Sequence, residues 1–220
     1  MRKEDCLYNK VCKNKCSDSC IRYIQFNRLL ELSNLPEKIK HPVKIVSIDE
    51  DKKAYQELKA IKDNIKKVIQ DGKNIYICSK TCGNAKTSWA VKLMLKYFDQ
   101  TWENSFDVTR GLYVHVPTLF SDMKHFDDIP EYISRIKDAD VVIWDDIAFA
   151  KLSEYEYAQL LQLIDNRLAN GKSNIYTSNV TTEKELSGFV GHRLSSRIYN
   201  TSKVIVFMAG DFRVGGKIEK

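Results

Sequence analysis

The sequence has no long apolar run, few histidines and no recognisable targeting signal, and each absence narrows its possible functions. The longest apolar runs, KVIVFMAG and DVVIW, are far too short to cross a bilayer. The opening segment MRKEDCLYNK contains no apolar stretch of the kind that a secretory signal requires. The four histidines are scattered, which argues against a histidine metal cluster or a catalytic triad. We therefore expect a soluble cytoplasmic protein without membrane contact.

The chain also lacks internal repeats and low-complexity tracts, and its charge is only mildly unbalanced. Its 220 residues suit one medium domain with a small appendage. Lys and Arg number 35 against 29 Asp and Glu, a net charge of +6, and the excess lies toward both ends. Basic ends suit contact with DNA, although solvated Lys-rich surfaces explain the excess as well. The DNA-contact candidates are the basic C-terminal segment and the region around Lys124 and His125.

Composition divides the chain into three regions. Residues 1–40 are cysteine-rich and basic and form a separate N-terminal segment. Residues 41–53 are predicted to be a linker, because Pro36 and Pro42 disfavour regular structure where the N-terminal segment ends. Residues 54–220 form the main domain.

Apolar strands and amphipathic helices alternate through the main domain. The first helical pattern begins near Ala54, keeps one apolar face, and is stopped by Gly72. The predicted strands are 74–78, 111–116, 140–146, 173–179 and 203–210. This alternation predicts an α/β fold with a five-stranded, mostly parallel sheet that helices cover on both faces. Trp89 and Trp144 are expected in its core.

The segment SKTCGNAKTS is placed like a phosphate-binding loop but lacks most of its glycines. Lys86-Thr87 follows a predicted strand and begins a helical pattern, as in G-x-x-x-x-G-K-[ST]. Lys80 and Ala85 occupy the two glycine positions, and Gly83 remains within the loop. The methyl group of Ala85 is tolerated only if its φ is negative or if the loop adjusts. An ordinary strand-to-helix turn is the alternative interpretation.

Polar residues follow two later strands and strengthen the nucleotide-site hypothesis. VVIWDD places Asp145 and Asp146 at the carboxyl end of an apolar strand, where ligands of open α/β sheets bind. Asp145 could hold Mg²⁺ through water, and Asp146 could act as a general base on the attacking water. Asn179 follows the next strand and could orient that water.

Three arginines come after these motifs. Arg193 and Arg197 are four residues apart and are therefore predicted to share one helix face. An arginine that contacts the ATP of a neighbouring subunit is called an arginine finger. Arg213, after the last strand, is a candidate for a further phosphate sensor. Each alone is more typical of a protein surface, so their order behind the two motifs is what makes them informative.

The segments GNAKTSWAVKL, VIWDDIA, IYTSN, RLSSRI and FMAGDFR together resemble the AAA+ ATPase core of DnaC/DnaI-type replicative helicase loaders, especially the short loaders of phages of Gram-positive bacteria. The resemblance covers about residues 50–215, and the cysteine-rich N-terminus is a further match. It implies a P-loop AAA+ core that uses ATP and Mg²⁺, binds single-stranded DNA, and binds a hexameric replicative helicase. A finger acting in trans also implies self-association.

The resemblance implies site residues position by position. The nucleotide-binding set is Gly83, Asn84, Ala85, Lys86, Thr87, Ser88, Asp145 and Arg213. The catalytic set is Asp146, Asn179 and Arg197, and the magnesium ligands are Thr87 and Asp145. Ala85 departs from the pattern, because glycine is expected there, and this predicts weak or partner-stimulated hydrolysis.

The N-terminal segment carries four closely spaced cysteines, Cys6, Cys12, Cys16 and Cys20. A cytosolic chain is not expected to form disulfides here, and a segment this short needs a metal to supply folding energy. Four thiolates suit tetrahedral Zn²⁺, so we expect a zinc-binding segment. An iron–sulfur cluster and reduced free thiols are the alternatives.

Two other functions stay open at this point. The first is a zinc-containing adaptor that links a helicase to DNA without hydrolysing ATP, which Lys80 and Ala85 motivate. The second is a transposition helper ATPase of the IstB type, which shares the same core. The four-cysteine N-terminus favours the loader over the second alternative.

Overall fold

The structure of the protein is a computed structural model that describes residues 19–40, 45, 49–104, 108–123 and 129–210. The strands are β1 (Asn74–Ser79), β2 (Gly111–His115), β3 (Val141–Asp145), β4 (Ser173–Ser178) and β5 (Ser202–Phe207). The helices are α1 (Ile21–Leu32), α2 (Lys52–Asp63), α3 (Ile65–Gln70), α4 (Lys86–Thr101), α5 (Leu119–Met123), α6 (Ile129–Asp138), α7 (Glu154–Ala169), α8 (Glu183–Val190) and α9 (His192–Asn200).

The five strands form one sheet in the order β2-β3-β4-β1-β5, and every neighbouring pair is parallel. The predicted five-stranded parallel sheet is therefore confirmed. β4 lies between β1 and β3, with Cys78 opposite Ser178 and Trp144 opposite Tyr176. As a result, the carboxyl ends of β1, β3 and β4 meet at one edge of the sheet.

Helices cover both faces of the sheet, because successive strand residues point to opposite sides. Ile143 and its same-face neighbours pack with α1 to α4, in a core that includes Trp89. Trp144 and its neighbours pack on the other face with α6 to α9. Both tryptophans are buried, as predicted. Among the described helices, none combines the length and apolar character that a membrane span requires.

The first helical pattern was predicted as one helix, and that prediction is wrong. The chain breaks at Asn64, whose backbone lies at φ −112°, ψ 20°, so α2 and α3 are separate. The Asn64 side-chain amide donates to the carbonyl of Ala60 at 3.0 Å. This contact competes with the backbone ladder, as asparagine does within helices. Gly72, at φ 64°, ends the segment as predicted.

The N-terminal helix α1 packs on the main core. Phe26 and Leu29 are buried with the residues of α2 and α4. The backbone after α1 runs along the outer side of β2, where Tyr113 N donates to Ser33 O at 2.8 Å and Asn34 Nδ2 donates to Tyr113 O at 3.4 Å. A boundary at residue 40 stays a prediction, and the contacts show that part of the N-terminal segment completes the domain.

A buried arginine forms hydrogen bonds at the edge of the sheet where the strands begin, opposite their carboxyl ends. Arg167 of α7 is fully buried, and burial lowers its pKa to about 10. No carboxylate among the described residues forms an ion pair with it. Its donors instead reach one side-chain oxygen and a set of backbone carbonyls, namely Asn174 Oδ1 (2.7 Å), Ile136 O (2.6 Å), Ala139 O (2.8 Å), Lys137 O (3.5 Å) and Ser173 O (2.5 Å).

Candidate functional site

Lys86 is the first residue of α4, and its amine is held by the loop that precedes the helix. Lys86 Nζ donates to Thr81 O at 2.9 Å and to Asn84 Oδ1 at 3.0 Å. Burial lowers the pKa of Lys86, against the opposing effect of Cys82, Asp146 and Asp145. The oxygens of a phosphate can replace the two acceptors, and their negative charge favours the protonated amine. The position therefore suits a phosphate-binding lysine.

Hydroxyl and amide groups hold the rest of the loop together. Asn84 is buried, and its Nδ2 donates to Ser79 Oγ and to Thr81 Oγ1. Thr81 Oγ1 donates to Ala209 O at 2.8 Å, which ties the loop to the segment after β5. These contacts keep the backbone between β1 and α4 in a compact turn at the carboxyl edge of the sheet. Ser79 and Thr81 were not singled out from the sequence.

Ala85 adopts the backbone conformation that glycine favours. Its φ is 64° and its ψ is 18°, and its carbonyl accepts the bond from Trp89 N that begins α4. Ala85 therefore does not have the negative φ that would accommodate its methyl group without strain. A left-handed backbone costs an alanine about 1–2 kcal/mol. The loop keeps its shape at Ala85 under local strain, beside Gly83, whose φ is 77°.

Replacing Ala85 by glycine is expected to stabilise the protein. We expect Ala85→Gly to raise the free energy of unfolding by about 0.5–1 kcal/mol, because relief of the left-handed strain exceeds the added entropy of an unfolded glycine. Urea unfolding without nucleotide measures the change. Ala158→Gly is the matched control in the exposed part of α7, where the same substitution should cost about 1 kcal/mol. A loss of stability in both variants would contradict the strain at Ala85.

Asp145 ends β3 and accepts hydrogen bonds from three hydroxyl groups. Thr87 and Thr177 donate to Oδ1 at 2.8 and 2.6 Å, and Tyr113 donates to Oδ2 at 2.7 Å. The carboxylate is buried. Burial, with Asp145 as the next cause, raises the pKa of Tyr113 well above its usual range, so the phenol remains a donor. The arrangement fixes one orientation of the Asp145 carboxylate beside the Thr87 hydroxyl.

Asp146 follows directly in a left-handed turn. Its φ is 55°, and its backbone N–H donates to Thr177 Oγ1 at 3.0 Å. Ile147 N donates to Thr177 O at 3.0 Å, so β4 holds both residues after β3. The half-buried Asp146 thus leaves the strand at an angle that Thr177 sets. Asn179 is exposed immediately after β4, at the same edge of the sheet.

Thr177 and Tyr113 are the site residues that the sequence did not predict. Both lie inside buried strands, where a hydroxyl group is unusual enough to be a signal. Their importance depends on the sheet order, because β2 and β4 flank β3 on its two sides.

Arg193 and Arg197 do share one face of α9, as predicted, and both reach the same carboxylate. Arg197 Nε donates to Asp165 Oδ1 of α7 at 2.5 Å, and Arg193 lies 3.8 Å from Asp165 Oδ2. Asp165 was not predicted as their partner.

Several predicted site residues lie outside the described residues, namely Cys6, Cys12, Cys16, Arg213, Lys124 and His125. Cys20 is described, and its half-buried thiol precedes α1 without capping it. Within the described ranges, no three His, Cys, Asp or Glu side chains gather as a metal site would require. Ser88 is half-buried in the first turn of α4.

Comparisons with known proteins identify the fold. No protein-family model and no curated protein matches the chain. The structure is similar to that of the DnaC helicase loader, with a TM-score of 0.65, 17% identity, and coverage of 78% of this chain and 99% of that one. It is similar to DnaI, with a TM-score of 0.66, 18% identity, and coverage of 84% and 98%.

A third similar structure is the replication initiator DnaA bound to AMPPCP and single-stranded DNA. Its TM-score is 0.58 and its identity 19%, and the match covers 80% of this chain and 51% of that one. At these identities the similarity shows the fold. The expected resemblance to DnaC and DnaI is thereby confirmed, and the chain has a P-loop AAA+ fold.

Proposed function

We propose that the protein is an ATP-dependent loader that places a hexameric replicative helicase on single-stranded DNA during phage-type replication initiation. The observation that carries the proposal is the meeting of Thr87 and Asp145, 2.8 Å apart, next to Lys86 in a chain with the loader fold. Lys86 and Thr87 begin α4 whereas Asp145 ends β3, and the chemistry of a nucleoside triphosphate site requires all three.

The residues present fit ATP and magnesium. Lys86 would bind the β- and γ-phosphate oxygens in place of Thr81 O and Asn84 Oδ1. Thr87 and Asp145 would hold Mg²⁺, which when bound neutralises charge on the phosphates. Thr177 and Tyr113 keep the Asp145 carboxylate in place by their hydrogen bonds to it.

The proposed hydrolysis uses residues on the same edge of the sheet. Asp146 would accept the proton of the water that attacks the γ-phosphorus, as the bond to the leaving oxygen breaks. Asn179 would orient that water through its exposed amide. Arg197 of a second copy would bind the γ-phosphate, and Arg213 would contact the nucleotide within its own subunit.

We further propose that the N-terminal cysteines bind Zn²⁺ and that this segment contacts the helicase. Cys20 supports the proposal because its thiol makes no disulfide with another described cysteine and no capping contact with α1. The binding of single-stranded DNA is proposed on the likeness to a nucleotide-bound initiator that holds such a strand.

Tyr113→Phe is expected to raise the Mg²⁺ concentration needed for half-maximal ATP hydrolysis about tenfold, because one of the three bonds that orient Asp145 is lost. Titration of Mg²⁺ at saturating ATP measures the effect. Tyr97→Phe is the matched control, since the Tyr97 hydroxyl also donates to a carboxylate, Asp140 Oδ2 at 2.9 Å, in a partly buried pair. Equal Mg²⁺ requirements in the two variants would contradict the role of Asp145.

The loader function is tested by ATP titration and by capture of the partner. We expect the purified chain to bind ATP with Mg²⁺, to carry one zinc per chain, and to capture a hexameric replicative helicase. Capture of a transposase instead would support the IstB-like alternative. Helicase capture without any ATP binding would support the adaptor, and the proposal would then fail.

The strain at Ala85 is the observation that favours the non-hydrolysing adaptor as a second candidate. Measuring the ATPase rate of Ala85→Gly separates it from the loader. A large rise in rate indicates a decayed loop that glycine restores, whereas a small change indicates a working loop.

A further inference from the structure

Arg193 and Arg197 of α9 both contact the carboxylate of Asp165, and Arg197 lies much closer to it. Asp165 lies on α7 and accepts Arg197 Nε on Oδ1 at 2.5 Å. Arg193 approaches Oδ2 at 3.8 Å, which is an ion pair without a hydrogen bond. One carboxylate therefore faces two guanidinium groups, and one positive charge is left without compensation within this trio.

Asp165 contacts the Nε atom of Arg197 and does not contact its two terminal Nη atoms. In the part of the chain that the structure describes, neither Nη atom of Arg197 makes a hydrogen bond or an ion pair. The side chain is 42% exposed, so its tip is accessible. A guanidinium group held at Nε keeps its planar pair of Nη donors in one direction, and that pair matches the geometry of phosphate oxygens.

An arginine side chain that is free at the surface samples many rotamers, and binding a phosphate would require it to lose that freedom. Asp165 removes part of this cost in advance, because α7 is anchored in the core through Leu163 and Ile164. The carboxylate thus provides a rigid support for the side chain that it contacts.

We propose that Asp165 is a positioning residue for Arg197, which it holds with both terminal nitrogens directed outward to bind the γ-phosphate of a nucleotide in a second copy of this chain. This inference rests on the proposed ATPase function. Arg193 adds positive charge beside the finger and competes only weakly for Asp165.

Subunit mixing tests the proposal, because it separates the supply of Arg197 from the binding of ATP. Arg197→Ala subunits keep an intact nucleotide site but supply no finger. Asp146→Asn subunits supply the finger but do not hydrolyse. We expect hydrolysis to return when the two are mixed, and to fall about tenfold when the supplying subunit is Asp146→Asn/Asp165→Ala. Asp146→Asn/Asp63→Ala is the control, since Asp63 is exposed and forms no ion pair with any residue that the structure describes.

A purely structural role for Asp165 would not produce this pattern. Thermal unfolding is expected to change little in Asp165→Ala, because ion pairs that remain partly exposed to solvent contribute little to stability. The affinity of that variant for ATP should equal that of the wild type, so only the supply of the finger changes. If Asp165→Ala does not fold, the isosteric Asp165→Asn decides, with a smaller loss in the same direction, because it keeps an acceptor for Nε.

Three results would overturn the inference. The first is equal activity whether or not the Asp146→Asn subunit also carries Asp165→Ala. The second is higher activity with Asp165→Ala, which would mean that Asp165 restrains Arg197 from reaching the nucleotide. The third is no restoration in any mixture although the wild type hydrolyses ATP. Absence of hydrolysis by the wild type, with helicase and single-stranded DNA present, would instead show that the proposed ATPase function has failed.

Discussion

Lys86→Ala is expected to abolish measurable ATP hydrolysis and to weaken ATP binding about 30- to 4,000-fold. Removing a buried, hydrogen-bonded charge partner typically costs 2–5 kcal/mol of binding, and every 1.4 kcal/mol is a factor of about ten. Isothermal titration with ATP and Mg²⁺ measures the loss. The increase in melting temperature that saturating ATP gives the wild type should disappear as well.

The free protein should tolerate this substitution. Lys86→Ala leaves Thr81 O and Asn84 Oδ1 without their donor, but it also removes the cost of burying an amine whose pKa burial lowers. These effects oppose one another, so we expect the free energy of unfolding without nucleotide to change by about 1 kcal/mol or less. A loss of ATP binding in a folded protein then reports on the site itself.

Lys92→Ala is the matched control for Lys86→Ala. Lys92 lies on the same helix, its pKa is also lowered by burial, and its amine is 5.5 Å from the ring centre of Trp89. Its removal should leave ATP affinity unchanged. ATP binding by Lys86→Ala within tenfold of the wild type would show that the loop is not a phosphate site.

Arg167→Ala is expected to lower the free energy of unfolding by about 3–5 kcal/mol, the largest stability effect among the variants considered. The substitution removes the donors of four well-placed bonds, and three of their acceptors are backbone carbonyls that no side-chain replacement can eliminate. Domains are stable by about 5–15 kcal/mol in total, so the variant should be marginal. Urea unfolding followed by circular dichroism measures the loss.

We expect the stability lost in Arg167→Ala to come from the geometry of the guanidinium group rather than from its charge. Arg167→Lys keeps the charge but has one nitrogen, which cannot reach acceptors spread over α6, β4 and the segment between α6 and β3. We therefore expect it to lose nearly as much stability. Arg28→Ala is the surface control, because Arg28 pairs with Glu31 at 3.3 Å in an exposed position and should cost less than about 0.5 kcal/mol. A loss of under 1 kcal/mol in Arg167→Ala would contradict the assigned role.

The strands and the first motif residues could be predicted because local pattern determines them. Four of the five strands contain a short apolar run bounded by polar residues, and the predicted and observed limits of all five differ by at most three residues. Lys86 and Asp145 could be placed at one edge of the sheet because parallel strands have their carboxyl ends together. Their placement at that edge requires only that the strands be parallel and needs no knowledge of register.

The remaining parts of the site depend on contacts that no local pattern contains. Thr177 and Tyr113 reach Asp145 only because β4 and β2 are the two neighbours of β3, and strand order is not readable from the sequence. The sign of φ at Ala85 depends on how the whole loop closes against Ala209. Asp165 is one of many acidic residues, and its contact with Arg197 depends on the packing of α7 against α9.

The helix α1 and the turn after it cover the free edge of the sheet at β2. β2 is an outer strand, and an uncovered outer strand can pair with a strand of another molecule. Ser33 and Asn34 occupy the outward-facing polar groups of Tyr113, and Phe26 and Leu29 close the apolar surface beside them. We expect a chain shortened to begin at residue 41 to expose this side and to aggregate more readily, because the edge of β2 could then pair with a strand of another molecule.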